Sequence, residues 1–238
     1  VLLNDEAQET KLQGLPEANR ENKKVQAPSV AVRTSRTSPD THDPAAVYPP
    51  REDTELLRPF AEGTRGLRVL EIGTGNGRVA ETAARAGASV VATDRNPTAL
   101  RSLRSRASSG GFSIHLVRTD LADGLRRFDL VLANPPYLPT PFGSRDPDPW
   151  VNLALDGGID GCATLARILS TLPEHLLPDG RAYVVESSLQ DPTRRDRLRA
   201  DWQRSGGACR RVAERRIGDE RLEVWEWRLA PPATAGST

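Results

Sequence analysis

The chain has 238 residues, enough for one substantial hydrophobic core, and its composition excludes several classes at the outset. A net charge of +1 supplies no global field to recruit nucleic acid or a membrane surface, and no run of about 18 apolar residues marks a membrane span. The two cysteines, Cys162 and Cys209, lack a CxxC partner or a His-rich neighbourhood, so they predict buried structural thiols rather than a metal site or a disulfide framework.

All but Lys11, Lys23 and Lys24 of the 33 basic residues are arginine, a bias that reads as base composition rather than function. Without a basic-then-apolar leader pattern the chain is expected to be soluble and cytoplasmic. Residues 1–46 contain no Trp, Tyr or Phe and are rich in polar residues and proline. Such a segment cannot bury enough apolar surface to offset its ordering entropy, and it predicts a disordered tail.

Order is expected from Val47-Tyr48-Pro49-Pro50 onward, where Asp53 or Thr54 can cap a short helix carrying Leu56, Leu57 and Phe60. Leu70-Glu71-Ile72-Gly73-Thr74-Gly75-Asn76-Gly77 then reads as a strand that breaks into a glycine turn before a helix striped by Val79, Ala80, Ala83 and Ala84. The spacing is G-x-G-x-G rather than that of dinucleotide folds. An acidic Glu71 inside the turn argues against pyrophosphate and for a cationic nucleoside such as S-adenosylmethionine.

The next strand, Ser89 to Asp94, ends on a carboxylate placed to accept both ribose hydroxyls. Asn96-Pro97 opens a helix that stops at Ser108-Ser109-Gly110-Gly111, and Phe112, Ile114 and Leu116 alternate through a strand ending at Asp120-Leu121. Asp120 can accept from an adenine amino group while the Leu121 backbone meets the ring.

The fourth strand, Phe128 to Ala133, runs into Asn134-Pro135-Pro136-Tyr137, the most specific motif in the chain. Two prolines donate no backbone hydrogen bonds and leave a stiff loop of carbonyl acceptors, to which Asn134 adds its side-chain oxygen. Together they can hold both hydrogens of a planar NH2 group and turn its nitrogen toward a methyl donor, with Tyr137 stacked on the substrate plane. An amide lone pair is delocalised, so orientation matters more than a strong base.

Residues 138–151 read as a long loop bordering the site, and Cys162, Leu165, Ile168, Leu169 and Leu172 as a buried helical stripe with Pro173 near its end. Ala182 to Val185 is the fifth strand. Asp191-Pro192 begins an arginine-rich helix whose default reading is a solvated face, and Leu222, Val224, Trp225, Trp227 and Leu229 complete the sheet. Residues 231–238 read as a flexible end, leaving 47–230 as the folded domain.

With these motifs in place the chain resembles a class I methyltransferase that modifies a planar amine. Tyr48 to Leu57, Leu155 to Gly161 and Asp219 to Val224 are similar to segments of the HemK-related glutamine methyltransferases of release factors, in their archaeal and eukaryotic branch. The resemblance implies an α/β, Rossmann-like seven-stranded sheet of order 3-2-1-4-5-7-6 with helices on both faces. It also implies N5-methylation of the glutamine in the Gly-Gly-Gln loop of a class I translation termination factor. Thr54, Glu71, Gly73, Gly75, Asp94, Asp120, Leu121 and Asn134 would then face the cofactor, and Asn134, Pro135 and Tyr137 would grip the amide. The N-terminal helical domain of bacterial relatives is expected to be missing. A small zinc-binding activator is expected to add a strand at the Phe112–Val117 edge. The alternative is an RNA guanine-N2 or adenine-N6 methyltransferase, since those amines pose the same chemical problem; nucleic acid is not favoured.

Overall fold

A computed structural model describes Val47 and residues 49–230. The expected tails, and Tyr48 of the opening motif, lie outside the described residues. Seven strands form one sheet in the order β3-β2-β1-β4-β5-β7-β6. They are β1 Arg68–Ile72, β2 Ser89–Asp94, β3 His115–Arg118, β4 Phe128–Ala133, β5 Leu176–Ser187, β6 Ala208–Ile217 and β7 Glu220–Arg228. The first five run parallel and β7 is antiparallel to both its neighbours. The expected strand order is the one observed.

Alternate side chains along the central strands go to opposite faces, which puts a core on each. Val69, Leu130 and Leu132 pack under α1 (Glu52–Leu57), α2 (Arg78–Arg85) and α3 (Pro97–Gly110). Leu70, Val131 and Ala133 pack under α5 (Ala163–His175) and α6 (Pro192–Arg204), where Trp202 meets Trp227 edge-on with centroids 5.7 Å apart. No helix among the described residues is long and apolar enough to cross a membrane.

Several local expectations are corrected. Asp53 and Thr54 lie inside α1 and are buried; the N-cap is Arg51, with no side-chain cap bond. The Phe112–Val117 strand shrinks to His115–Arg118, because Gly111 ends α3 at φ 67° and the Phe112 ring lies under the Arg85 guanidinium at 4.6 Å instead of joining the sheet. The 138–151 loop holds over residues 138–148, and only its last three residues enter α4 (Pro149–Leu155), capped by Asp148, which accepts from Trp150 N at 2.8 Å. Cys162 is buried as expected, whereas Cys209 is half-buried.

The arginine-rich helix is not a simple solvated face. Arg195 and Arg199 turn inward from α6, Arg195 pairing with Glu223 at 3.3 Å and Arg199 with Glu186. The Arg199 guanidinium also lies 3.7 Å over the Trp225 ring. Two buried acids on adjacent strands need cations above them, and only tertiary pairing reveals that need.

Candidate active site

Ile72 is in register with Thr93 on one side and Ala133 on the other, so Gly73, Asp94 and Asn134 leave the sheet side by side. Strand order reverses between β1 and β4, the place where open α/β sheets form a ligand crevice. Gly73 and Gly77 adopt φ of 68° and 74°, for different ends. A Cβ on Gly73 would meet nothing within 4 Å, whereas one on Gly77 would lie 2.7 Å from Leu103. Gly73 therefore keeps backbone open to the crevice, and Gly77 lets the start of α2 close against α3.

The turn is tied to β2 twice. Thr74 N donates to the Thr93 carbonyl at 2.8 Å and Gly75 N donates to Asp94 Oδ2 at 2.8 Å. Asp94 Oδ1 accepts from Asn96 N at 2.7 Å. Burial raises the Asp94 carboxyl above the usual carboxylate range against the pull of these bonds.

Glu71 does not supply the charge that the sequence suggested. Its side chain is buried, and Oε2 accepts from Thr74 Oγ1 at 2.5 Å and from Ala80 N at 3.0 Å. Burial pushes its carboxyl up to about 8, so at neutral pH it is mostly protonated and pins the glycine turn to the first turn of α2. Asp120 is exposed, and its Oδ2 accepts from Arg167 of α5 at 2.8 Å. Leu121 beside it has φ 51°, the one non-glycine residue with positive φ among the described residues. A leucine in that region is strained, and the strain turns its backbone at the end of β3.

Beyond β4, Pro135 is buried and Asn134 Oδ1 is buried with no hydrogen-bond partner among the described residues. A buried acceptor in that state costs about 1–3 kcal/mol, which an incoming N–H would recover. Tyr137 OH donates to Asp53 Oδ2 at 3.3 Å, while Asp53 Oδ1 accepts from Thr54 N at 2.6 Å. Asp53 thus links α1 to the Asn-Pro-Pro-Tyr loop, a role that a capping argument missed. Its available signal was a carboxylate next to Thr54 in a segment already resembling the family's opening motif.

The Leu155–Gly161 segment straps the loop from outside. Leu138 N donates to Leu155 O at 3.2 Å, Gly157 N to Leu138 O at 2.9 Å and Thr140 N to Gly158 O at 2.8 Å. A Cβ on Gly161 would lie 2.5 Å from the Tyr137 carbonyl oxygen, so only glycine permits this approach. Gln190, which the sequence reading did not single out, closes the strap by donating Nε2 to the Gly161 carbonyl at 2.9 Å.

The sheet order and this crevice define a Rossmann-like class I methyltransferase, and residues 69–141 match a family model described as a methyltransferase domain. The chain is 35% identical over 162 residues to methyltransferase HEMK2 of Mus musculus, covering 61% of this chain and 74% of that protein. It is 37% identical over 145 residues, 60% of this chain, to a Methanocaldococcus jannaschii protein provisionally named a protein N5-glutamine methyltransferase, of which it spans 73%. It spans 62% of the Deinococcus radiodurans release factor glutamine methyltransferase, at 36% identity over 68% of this chain. Among solved structures, the E. cuniculi Mtq2-Trm112 complex, responsible for methylation of the eRF1 translation termination factor, matches with TM-score 0.60 and 27% identity over 78% of this chain and 99% of that one.

The chain belongs to the HemK-related methyltransferases.

Proposed function

We propose that residues 47–230 form a catalytic unit that methylates the side-chain amide nitrogen of the glutamine in the Gly-Gly-Gln loop of a translation release factor. The observation that carries this reading is the buried, unpartnered Asn134 Oδ1 beside two prolines, an acceptor suited to a planar amide N–H. S-adenosylmethionine supplies an electrophilic methyl carbon when bound. Its fit rests on the open backbone at Gly73 and on the Asp94 carboxylate next to it.

In this reading Gly73 and Gly75 admit the cofactor, Asp94 accepts from its ribose, and Asp120 with the strained Leu121 backbone borders its base. Thr54 approaches from α1, and Glu71 acts through the turn it pins. Asn134 Oδ1 and the Pro135 carbonyl accept the two amide hydrogens. That orientation would direct the amide nitrogen at the methyl group that bound S-adenosylmethionine would supply, with the displaced amide proton released to water. Tyr137, held by Asp53, stacks on the amide plane.

The Mtq2 comparison supports a small partner protein, which for this chain we propose to lie at the β3 edge, His115–Arg118, as a zinc-binding activator. The test is tritium transfer from labelled S-adenosylmethionine to a release factor and to total unmodified RNA, each with and without such an activator. Label should appear on the factor and vanish when the loop glutamine is changed; label on RNA alone would overturn the reading. Asn134→Ala should lower transfer about 100-fold or more, the loss typical of a transition-state hydrogen-bonding group, while cofactor affinity measured by calorimetry stays within about threefold.

A further inference from the structure

We propose that Phe142, Ile159 and Leu189 form a docking rim that holds the polypeptide flanking the substrate glutamine, a proposal that rests on the protein-methylating reading above. These are the exposed large apolar side chains among the described residues, at 92%, 62% and 45% exposure. They are far apart in sequence, yet all three belong to loops at the end of the sheet where the Asn-Pro-Pro-Tyr motif lies.

The loops are fastened to one another. Thr140 N donates to Gly158 O at 2.8 Å, joining the Phe142 segment to the Ile159 segment. Asp191 N donates to Asp160 O at 2.9 Å, and Gln190 Nε2 donates to Gly161 O at 2.9 Å, joining the Leu189 segment to the same strap. The strap in turn presses against the Tyr137 carbonyl at Gly161. A chain entering the crevice to present an amide at Asn134 would have to pass these loops.

Charge decides which kind of chain. A phosphate backbone requires unneutralised cations at the entrance, but Arg145 is paired with Asp156 at 2.9 Å and Arg194 with Asp160 at 3.6 Å, both acids on the strap itself. Apolar side chains next to these two internally neutralised pairs suit a polypeptide that carries apolar side chains outside its Gly-Gly-Gln loop.

The test is steady-state methylation of a whole release factor by the full chain carrying Phe142→Ser, Ile159→Ser and Leu189→Ser together. Because all three side chains are exposed, the melting temperature should hold. KM for the factor should rise about tenfold or more, with kcat within about twofold and cofactor affinity unchanged. The triple variant Phe142→Leu, Ile159→Val and Leu189→Ile should restore KM. If wild type labels the factor and the serine variant keeps the wild-type KM, the rim is overturned alone. If wild type labels RNA instead of the factor, the underlying reading falls and takes the rim with it.

Discussion

Two buried carboxylates, Glu71 on β1 and Glu223 on β7, are treated in opposite ways on the two halves of the sheet. In the β1–β4 half, Glu71 is buried against neutral donors, Thr74 Oγ1 and Ala80 N, and burial carries it up to about 8. In the β5–β7 half, Glu223 is equally hidden but is met by Arg195, Arg211 and Arg221. Burial would raise Glu223, yet the Trp225 N–H and these guanidinium groups carry it below the usual range. Glu71 is kept from ionising by its neutral surroundings, and Glu223 is kept ionised by its guanidinium partners; Glu186 on β5 lies between, raised by burial to about 7 despite Arg199. Buried polar atoms without a partner occur on both sides, Asn134 Oδ1 at the crevice and Glu186 Oε1 and Trp227 Nε1 in the β5–β7 half, so what sets Asn134 apart is its place beside the ligand crevice.

Breaking the second half should cost most. In Glu223→Gln the arginines above β7 lose their counter-charge, and Arg195 is too buried to recover it from water. Denaturant unfolding at neutral pH should show a loss of about 3 kcal/mol. A change below about 1 kcal/mol would mean that the network is self-screened.

Asp94→Ala probes the ligand side of the first half. Losing a charge-assisted acceptor should weaken S-adenosylmethionine binding about 10- to 100-fold by calorimetry, with cofactor affinity falling before the maximal rate does. Unchanged affinity would remove the ribose assignment.

The smallest effect, and the sharpest contrast with Glu223, is expected from Glu71→Gln. An amide oxygen can replace the protonated carboxyl toward Thr74 and Ala80, so at about pH 4, where the carboxyl is protonated folded or unfolded, stability should change by less than about 1 kcal/mol. The folded-state value of Glu71 is raised from 4.5 to about 8, so the folded protein binds the extra proton between these limits. Wild-type stability from this group is therefore full below its unfolded value and is lost as pH rises through 8. The glutamine variant has no such group, so its unfolding free energy should gain on wild type between about pH 5.5 and about pH 8.5. A constant difference across that range would place Glu71 in contact with solvent.

Much of the fold was legible from local spacing alone. Ser89 to Asp94 and Phe128 to Ala133 fall on the strands the apolar runs predict, and Asn96 caps α3 by accepting from Thr98 N at 2.9 Å, as Asn-Pro at a helix start implies. The α4 helix was missed although Asp148-Pro149 carries the same kind of start signal, because its residues are only half-buried or exposed and have no apolar stripe. The short β3 was overestimated because alternation in Phe112, Ile114 and Leu116 says nothing about which ring another element will claim.

The sequence by itself determined the first four strands with the helices between them, the glycine turn at Gly73 and the chemistry available at Asn134-Pro135-Pro136-Tyr137. These depend on backbone freedom, proline stiffness and periodicity, which act over a few residues. Tertiary structure alone decided that Glu71 faces inward, that Asp53 holds Tyr137 across 84 positions of sequence, that Arg195 is buried and that the three exposed apolar side chains share one end of the sheet. Burial and charge pairing between distant elements set those outcomes, because a carboxylate or guanidinium carries no local mark of what will pack against it.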